Sequence, residues 1–278
     1  MPGCGRQREL KLAFTLVEML VVVAVIALLA AILSPAIAKA KVKAQAIHCM
    51  NNTRQLALGW SLYTDDHDGK LSPNLDGSRD SWVRGILDFD NTNPDNTNTF
   101  FLVDARYAKI GPYTPAAASF ECPADRSTIR YSGRRYSRVR SVSMNYAVGA
   151  AEKPGQLTFA IGSMVYRKSA DIVNPANLWV LMDEHPDSID DGRFIVDCEN
   201  RQEKARLISI PANYHNGAAS FSFADGHSEI HKWLDATTML PNKYCGCLSH
   251  YAVNGYFTAG PYSPDIAWLQ ERTSSKLK

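Results

Sequence analysis

The sequence predicts an α+β protein, in which one long N-terminal helix packs its second half on a mainly antiparallel β body. Three observations carry that prediction. Phe14 to Leu33 is twenty residues interrupted only by Thr15 and Glu18, enough for a helix to cross a bilayer core of ~30 Å. Val42, Ala46, Cys49, Thr53, Leu56, Trp60 and Tyr63 then follow at alternating spacings of four and three, which lines them along one helix face. From Leu71 onward, short apolar runs are broken by Pro, Gly and Asn, the composition of strands and turns.

The apolar segment comes first. Met19 to Leu33 holds fifteen residues without a polar side chain, so it is apolar on every face and belongs in lipid or among other helices. Arg6, Arg8 and Lys11 precede it, and Ala36-Ile37-Ala38 offers a signal-peptidase pattern. One reading therefore removes the segment after Ala38 and leaves a secreted binding domain, with carbohydrate as a candidate ligand. Glu18 favours retention, because a carboxylate inside a membrane stretch is costly and persists where it has a partner. Three basic residues precede the span and three follow it (Lys39, Lys41, Lys43), so charge alone sets no orientation. Pro35 is expected to kink the helix, since proline removes a donor and crowds the preceding turn.

"AFTLVEMLVVVAVIALLAAILSPAIAKAK" resembles the N-terminus of type IV prepilins and type II secretion pseudopilins. A short basic leader, a Phe at the cut site, a Glu four residues later, a long apolar helix and Pro35 carry the likeness. Ala13 stands where that family usually has Gly. The resemblance implies a pilin-like fold and a cut by prepilin peptidase between Ala13 and Phe14, with N-methylation of Phe14. It also implies that Glu18 meets the α-amino group of a neighbouring subunit during assembly. The division that follows is a leader over 1–13, a helix over 14–64 with its membrane part at about 14–37, and a globular β-rich domain over 65–278. Partners implied are other pilin-like subunits, the membrane and the secretion or pilus assembly machinery. The implied location is the cytoplasmic membrane, spanned once, with the body on the extracytoplasmic side. The implied role is structural, without catalysis.

Composition limits the alternatives. The 278 residues carry a formal charge of +2, and beyond residue 13 the acids and bases balance at 27 each. That argues against bulk attraction to nucleic acid. "RSTIRYSGRRYSRVR" (126–140) packs six arginines and two tyrosines in a pattern that could contact phosphate and stack bases, but alternating arginines on a strand more often form its wet face. Removing the leader takes Cys4 and leaves five cysteines, so at least one thiol has no partner within the chain. The spacing of Cys245-Gly-Cys247 is poor for structural zinc.

The body offers further expectations. "YTDDHDGKLSPN" (63–74) should end the helix in a turn, since Thr64 and Leu75 occupy slots that a calcium loop needs filled by acids or Asn. Calcium elsewhere stays open, and no residue is assigned as a metal or cofactor ligand. "DNTNPDNTNT" (90–99) reads as a mobile polar loop. "RYSRVRSVSMNYAVG" (135–149) and "NLWVLMDEH" (177–185) read as strands. In "NYHNGAASFSFADGHSEIHKW" (213–233), Asp225-Gly226 signals a two-residue hairpin turn. That turn pairs Phe221 with Ile230 and Phe223 with Ser228 on a core face, opposite a polar face. His227, Glu229 and His231 then share one face, at a spacing that suits either metal or solvent.

His215, nine residues and Asp225-Gly226 resemble the H-X9-DG domain of a large group of prepilin-like proteins. "FECPAD" (120–125), "RSVSMNY" (140–146) and "DEHPDSIDDG" (183–192) extend that likeness. The motif marks relatives without giving an activity. An enzyme using His215 and Asp225 is the most distant reading.

Overall fold

A computed structural model describes residues 15–78, 80–114, 116–149, 164–248, 257–258 and 261–274. The chain divides into two units, Met1–Val42 and Lys43–Lys278. Helix α1 (Leu16–Asp66) starts in the first unit and ends in the second. It begins and ends two residues later than the 14–64 expected. Its assignment passes through Pro35 without interruption. The expected turn follows, with Asp68 and Gly69 at positive φ and the Gly69 N–H donating back to the Thr64 carbonyl at 2.9 Å, which satisfies one of the helix's last acceptors.

Six of the seven residues read as the buried face of α1 are buried: Ala46, Cys49, Thr53, Leu56, Trp60 and Tyr63. Val42 is half-buried. The heptad-like spacing missed Asn52, which is also buried because its amide donates to the Ala118 and Glu121 carbonyls. A polar side chain can join a core face when its hydrogen bonds are made there.

The body is built on a five-stranded sheet. Its strands are β3 (Val142–Asn145), β4 (Trp179–Asp183), β5 (Arg193–Phe194), β7 (Ala218–Phe223) and β8 (Ser228–Lys232), in spatial order β5-β3-β4-β7-β8. Only the β3–β5 pair is parallel. Two smaller sheets pair β1 (Thr128–Tyr131) with β2 (Arg134–Ser137), and β6 (Arg206–Leu207) with β9 (Phe257–Thr258). Helix α2 (Phe100–Val103) is a single turn, and α3 (Pro264–Thr273) starts on a proline at its first turn, where the missing N–H costs nothing.

Both faces of the sheet are covered. Leu56, Trp60 and Tyr63 of α1 share one core with Trp82, Phe120, Val142, Met144, Val180 and Leu181. The other core gathers Trp179, Met182, Phe221, Phe223, Trp233, Ile266 and Leu269. Strand β4 serves both because its pairing with β7 shifts between Trp179 and Leu181. That irregularity lets Val180 and Leu181 face one core while Trp179 and Met182 face the other, which strict alternation forbids.

The hairpin β7–β8 forms, but its pairing is one residue off the expected one. Phe221 lies opposite Glu229 and Ser222 opposite Ser228. The loop holds three residues, Ala224-Asp225-Gly226: the Gly226 N–H donates to the Phe223 carbonyl, and the Phe223 N–H to the His227 carbonyl, each at 2.9 Å. Gly226 at φ +89° supplies the left-handed residue that such a loop requires. A one-residue slip moves a whole strand to the other face, so Ile230 leaves the phenylalanine side and His227, Glu229 and His231 join it. The expected wet face is also wrong for β7, because Ser220 and Ser222 are buried under α1. A Cβ on Gly226 would meet nothing within 4 Å, so Gly226→Ala should cost only the backbone strain, ~1–2 kcal/mol. A urea midpoint unchanged from wild type would contradict that loop geometry.

The segment expected to be mobile, 90–99, is tied down. Asn96 is fully buried, its amide donating to Asp88 Oδ1 at 2.8 Å and to the Asp90 carbonyl. Asn93 caps the short helical turn Pro94–Asn96. Asn and Asp side chains here replace the backbone bonds that a loop otherwise leaves to water.

Candidate functional site

At the N-terminus, Thr15 and Glu18 form a reciprocal cap on α1. The Thr15 N–H and Oγ–H donate to Glu18 Oε2 at 2.8 and 2.7 Å, and the Glu18 N–H donates to Thr15 Oγ at 3.2 Å. This is the S/T-x-x-E capping box, spelled out in the sequence as "TLVE". The most apolar eighteen residues of α1 have a mean hydropathy of 3.0 and none is buried, so the helix is long and apolar enough to cross a membrane. Exposure of large apolar side chains runs from Leu16 (76%) to Ile37 (63%). Ala13 and Phe14, the expected cleavage pair, lie outside the described residues.

The residues of the C-terminal motif do not converge. Asp225 sits at the hairpin tip, accepting from the His227 ring at 2.6 Å. With Gly226 and His227 it rims a surface groove beside Asn51, Arg54 and Leu58 of α1. His215 precedes the other end of β7, and a six-residue strand separates the two by ~20 Å. The pairing of His215 with Asp225 in a catalytic site is therefore excluded by distance.

His215 instead joins Cys49, Cys122 and Asp183. One ligand-capable atom from each lies within 4.8 Å of all the others. Cys49 comes from α1, Cys122 from the loop after Phe120, Asp183 from the end of β4, and His215 from the turn before β7. The Cys49 thiol lies 3.0 and 2.9 Å from the two Asp183 carboxylate oxygens. Cys122 Sγ and His215 Nε2 are 3.3 Å apart, and His215 Nε2 lies 3.8 Å from Asp183 Oδ2. The backbone N–H of Ser220 donates to that same oxygen at 3.1 Å. The two cysteines and the aspartate are fully buried, and His215 is 6% exposed.

Electrostatics bind the four together. Burial pushes the Cys49 thiol well above its ordinary range, and the neighbouring Cys122 and Asp183 add to that. Burial also opposes ionisation of Cys122, but hydrogen bonding from Cys49 and His215 outweighs it and lowers its pKa. Burial alone would lower His215, yet the bonds to Asp183 and Cys122 push it up to about 9. The cluster favours the protonated form of His215. It does not have the layout of a nucleophilic triad, in which the acid holds the nitrogen remote from the nucleophile: here Cys122 and Asp183 approach the same nitrogen, Nε2.

Other expected groups serve the fold. His231 stacks on Trp268 at 3.8 Å, and His227 on Phe223 at 4.2 Å, so the shared face of His227, Glu229 and His231 meets aromatic rings. Two of the six arginines in 126–140 are buried. Arg138 donates to the Pro186 carbonyl at 2.6 Å and Arg140 to those of Asp190 and Val142. Arg134 and Arg135 on β2 are exposed. The segment 183–192 is buried throughout. Only part of its support is its own: Ser188 donates to Glu184 at 2.7 Å, while Asp187 accepts the backbone N–H groups of Lys243, Cys245 and Gly246. Cys245 and Cys247 are disulfide-bonded.

Residues 11–34 match the prokaryotic N-terminal methylation motif. No curated protein and no solved structure gives a match. The chain thus carries a prepilin-type processing motif at the head of a membrane-type helix, joined to a mainly antiparallel α+β body.

Proposed function

We propose that the chain is a non-enzymatic pseudopilin-like subunit of a type II secretion or type IV pilus-like filament. Prepilin peptidase cuts it between Ala13 and Phe14 and methylates Phe14. Helix α1 then holds it in the cytoplasmic membrane by a single pass, body outward, until assembly. The observation that carries this reading is the methylation motif leading into a helix whose large apolar side chains are exposed from Leu16 to Ile37. Such a surface needs lipid before assembly and neighbouring helices after it.

In this reading Glu18 neutralises the α-ammonium of a neighbouring subunit in a low-dielectric bundle. The capping box gives the same carboxylate a role within its own chain, and Glu18→Gln separates the two. Glutamine keeps an oxygen for the Thr15 donors and so keeps the cap, while the charge is lost. The expected result is a processed, membrane-retained, helical protein whose filament yield falls at least about tenfold, since breaking a buried ion pair costs roughly 3–5 kcal/mol. Wild-type filament yield from Glu18→Gln would sink the charge-pairing role and leave Glu18 as a cap.

A further inference from the structure

We propose that Cys49, Cys122, Asp183 and His215 are the four ligands of a structural zinc site that fastens the second half of α1 to the sheet. The sequence reading assigned no metal ligand; the fold brings these four donors together from positions spread over more than half the chain. Two thiols, one imidazole and one carboxylate are each zinc donors, and four of them match zinc's tetrahedral coordination number. Sulfur and nitrogen donors select a borderline-soft cation over calcium or magnesium, which take oxygen.

The geometry agrees. Tetrahedral zinc with bonds of ~2.0–2.3 Å has ligand atoms separated by roughly 3.3–3.8 Å. Cys122–His215 at 3.3 Å and His215–Asp183 at 3.8 Å fall in that range, Cys49–Asp183 at 2.9 Å is a few tenths shorter, and no separation exceeds 4.8 Å. Two features beyond the count support a metal site. Two thiols, a carboxylate and an imidazole converge on one point from four separate segments, with both sulfurs and the carboxylate fully buried. The Ser220 N–H holds Asp183 Oδ2 from outside, the kind of support that fixes a metal ligand's orientation. A disulfide between Cys49 and Cys122 would use the sulfurs but leave Asp183 and His215 facing them without purpose; both cysteines are free thiols here. Binding releases the two thiol protons and the imidazolium proton of His215 to solvent and involves no oxidation or reduction.

The test uses the full-length protein, extracted from membranes in detergent without chelator. Elemental analysis should find about one zinc per chain, and the wild-type X-ray absorption spectrum should show two sulfurs and two lighter ligands around it. Cys122→Ser and His215→Gln should each lower the zinc content at least about tenfold. Cys245→Ser/Cys247→Ser should keep it, which separates this cluster from the second pair of sulfurs. Three results overturn the site: a Cys49–Cys122 disulfide in the unreduced mass with no zinc, a wild-type protein that stays metal-free after incubation with zinc, or zinc surrounded only by oxygen and nitrogen. The absorption spectrum needs no variant, so a misfolded substitution leaves the test intact. Loss of zinc with normal filaments would leave the proposed function standing.

Discussion

Gly149→Ala should severely destabilise the folded body. Gly149 lies at φ +73°, and a Cβ there would sit 1.9 Å from the Ser72 carbonyl oxygen, well inside any tolerable contact. The neighbour is backbone, so no rotamer change relieves it. Gly149 is also the crossing point of two segments: its N–H donates to Tyr166, and its carbonyl accepts from Asn74, each at 2.9 Å. Asn74 in turn donates its side-chain amide to the Asn145 carbonyl at 3.0 Å. Moving the 72–74 strap away to admit a methyl group breaks this set together. Strain and overpacking then add to the lost bonds, and a cost above ~4 kcal/mol is expected, a large part of a domain's usual 5–15 kcal/mol. Urea denaturation of the full-length protein followed by tryptophan fluorescence reads it. A midpoint no lower than that of Gly226→Ala, where the methyl meets open space, would refute the close crossing.

Arg140→Met should be nearly as damaging. The guanidinium is 1% exposed and donates to Asp190 at 2.8 Å and to Val142 at 3.1 Å. Burial pulls its pKa down to about 10, while Glu184, Asp191 and Asp190 oppose that fall, so it stays charged at neutral pH. The dependence is mutual. Burial, reinforced by Asp190, already pushes Glu184 up to about 8 against the Ser143 and Ser188 hydroxyls and Arg140. Methionine fills the volume but leaves two carbonyls without their donor and removes a positive charge from beside Glu184, Asp190 and Asp191. Removing one side of a buried charge network costs roughly 3–5 kcal/mol. Arg140→Lys should recover only part, because an ammonium cannot divide its donors as the planar guanidinium does. The thermal midpoints of the two variants decide it: equal stability for Met and wild type would mean that the charge is dispensable.

These two positions also mark what the sequence could convey. The anchor was readable because its signal is local, a run of apolar residues with one acid. The buried stripe of α1 was readable because helix periodicity repeats over five turns. Arg140 was not, since alternating arginines look alike whether a strand faces water or another layer; Ser220 and Ser222 were misread for the same reason. The hairpin announced itself through Asp225-Gly226, but its pairing depended on whether Ala224 entered the loop, and one residue there moved every partner on β8. The tie-down of 90–99 depended on the partner Asp88, just outside the polar run. The sulfur–imidazole cluster was unreadable by spacing: positions 49, 122, 183 and 215 share no period, and only the path of the chain brings them together. Glu18 has a local partner in Thr15, three residues away, and that spacing is itself a sequence signal.

Helix α1 meets the sheet through two kinds of contact, and they respond differently to a mechanical pull. The greasy grip of Leu56, Trp60 and Tyr63 would tolerate some sliding, because apolar contact has no direction. The bonds from Cys49 to Asp183 and from Thr53 to Ser220, the latter at 2.8 Å, do not. A slip of one helical turn, ~5.4 Å, would bring Thr53 to Asp183 and Ala57 to Ser220, leaving the serine hydroxyl facing a methyl group. Those pins index the rod against its load, so tension on the N-terminal end should be borne at one discrete position until they shear, and then be released in a single step.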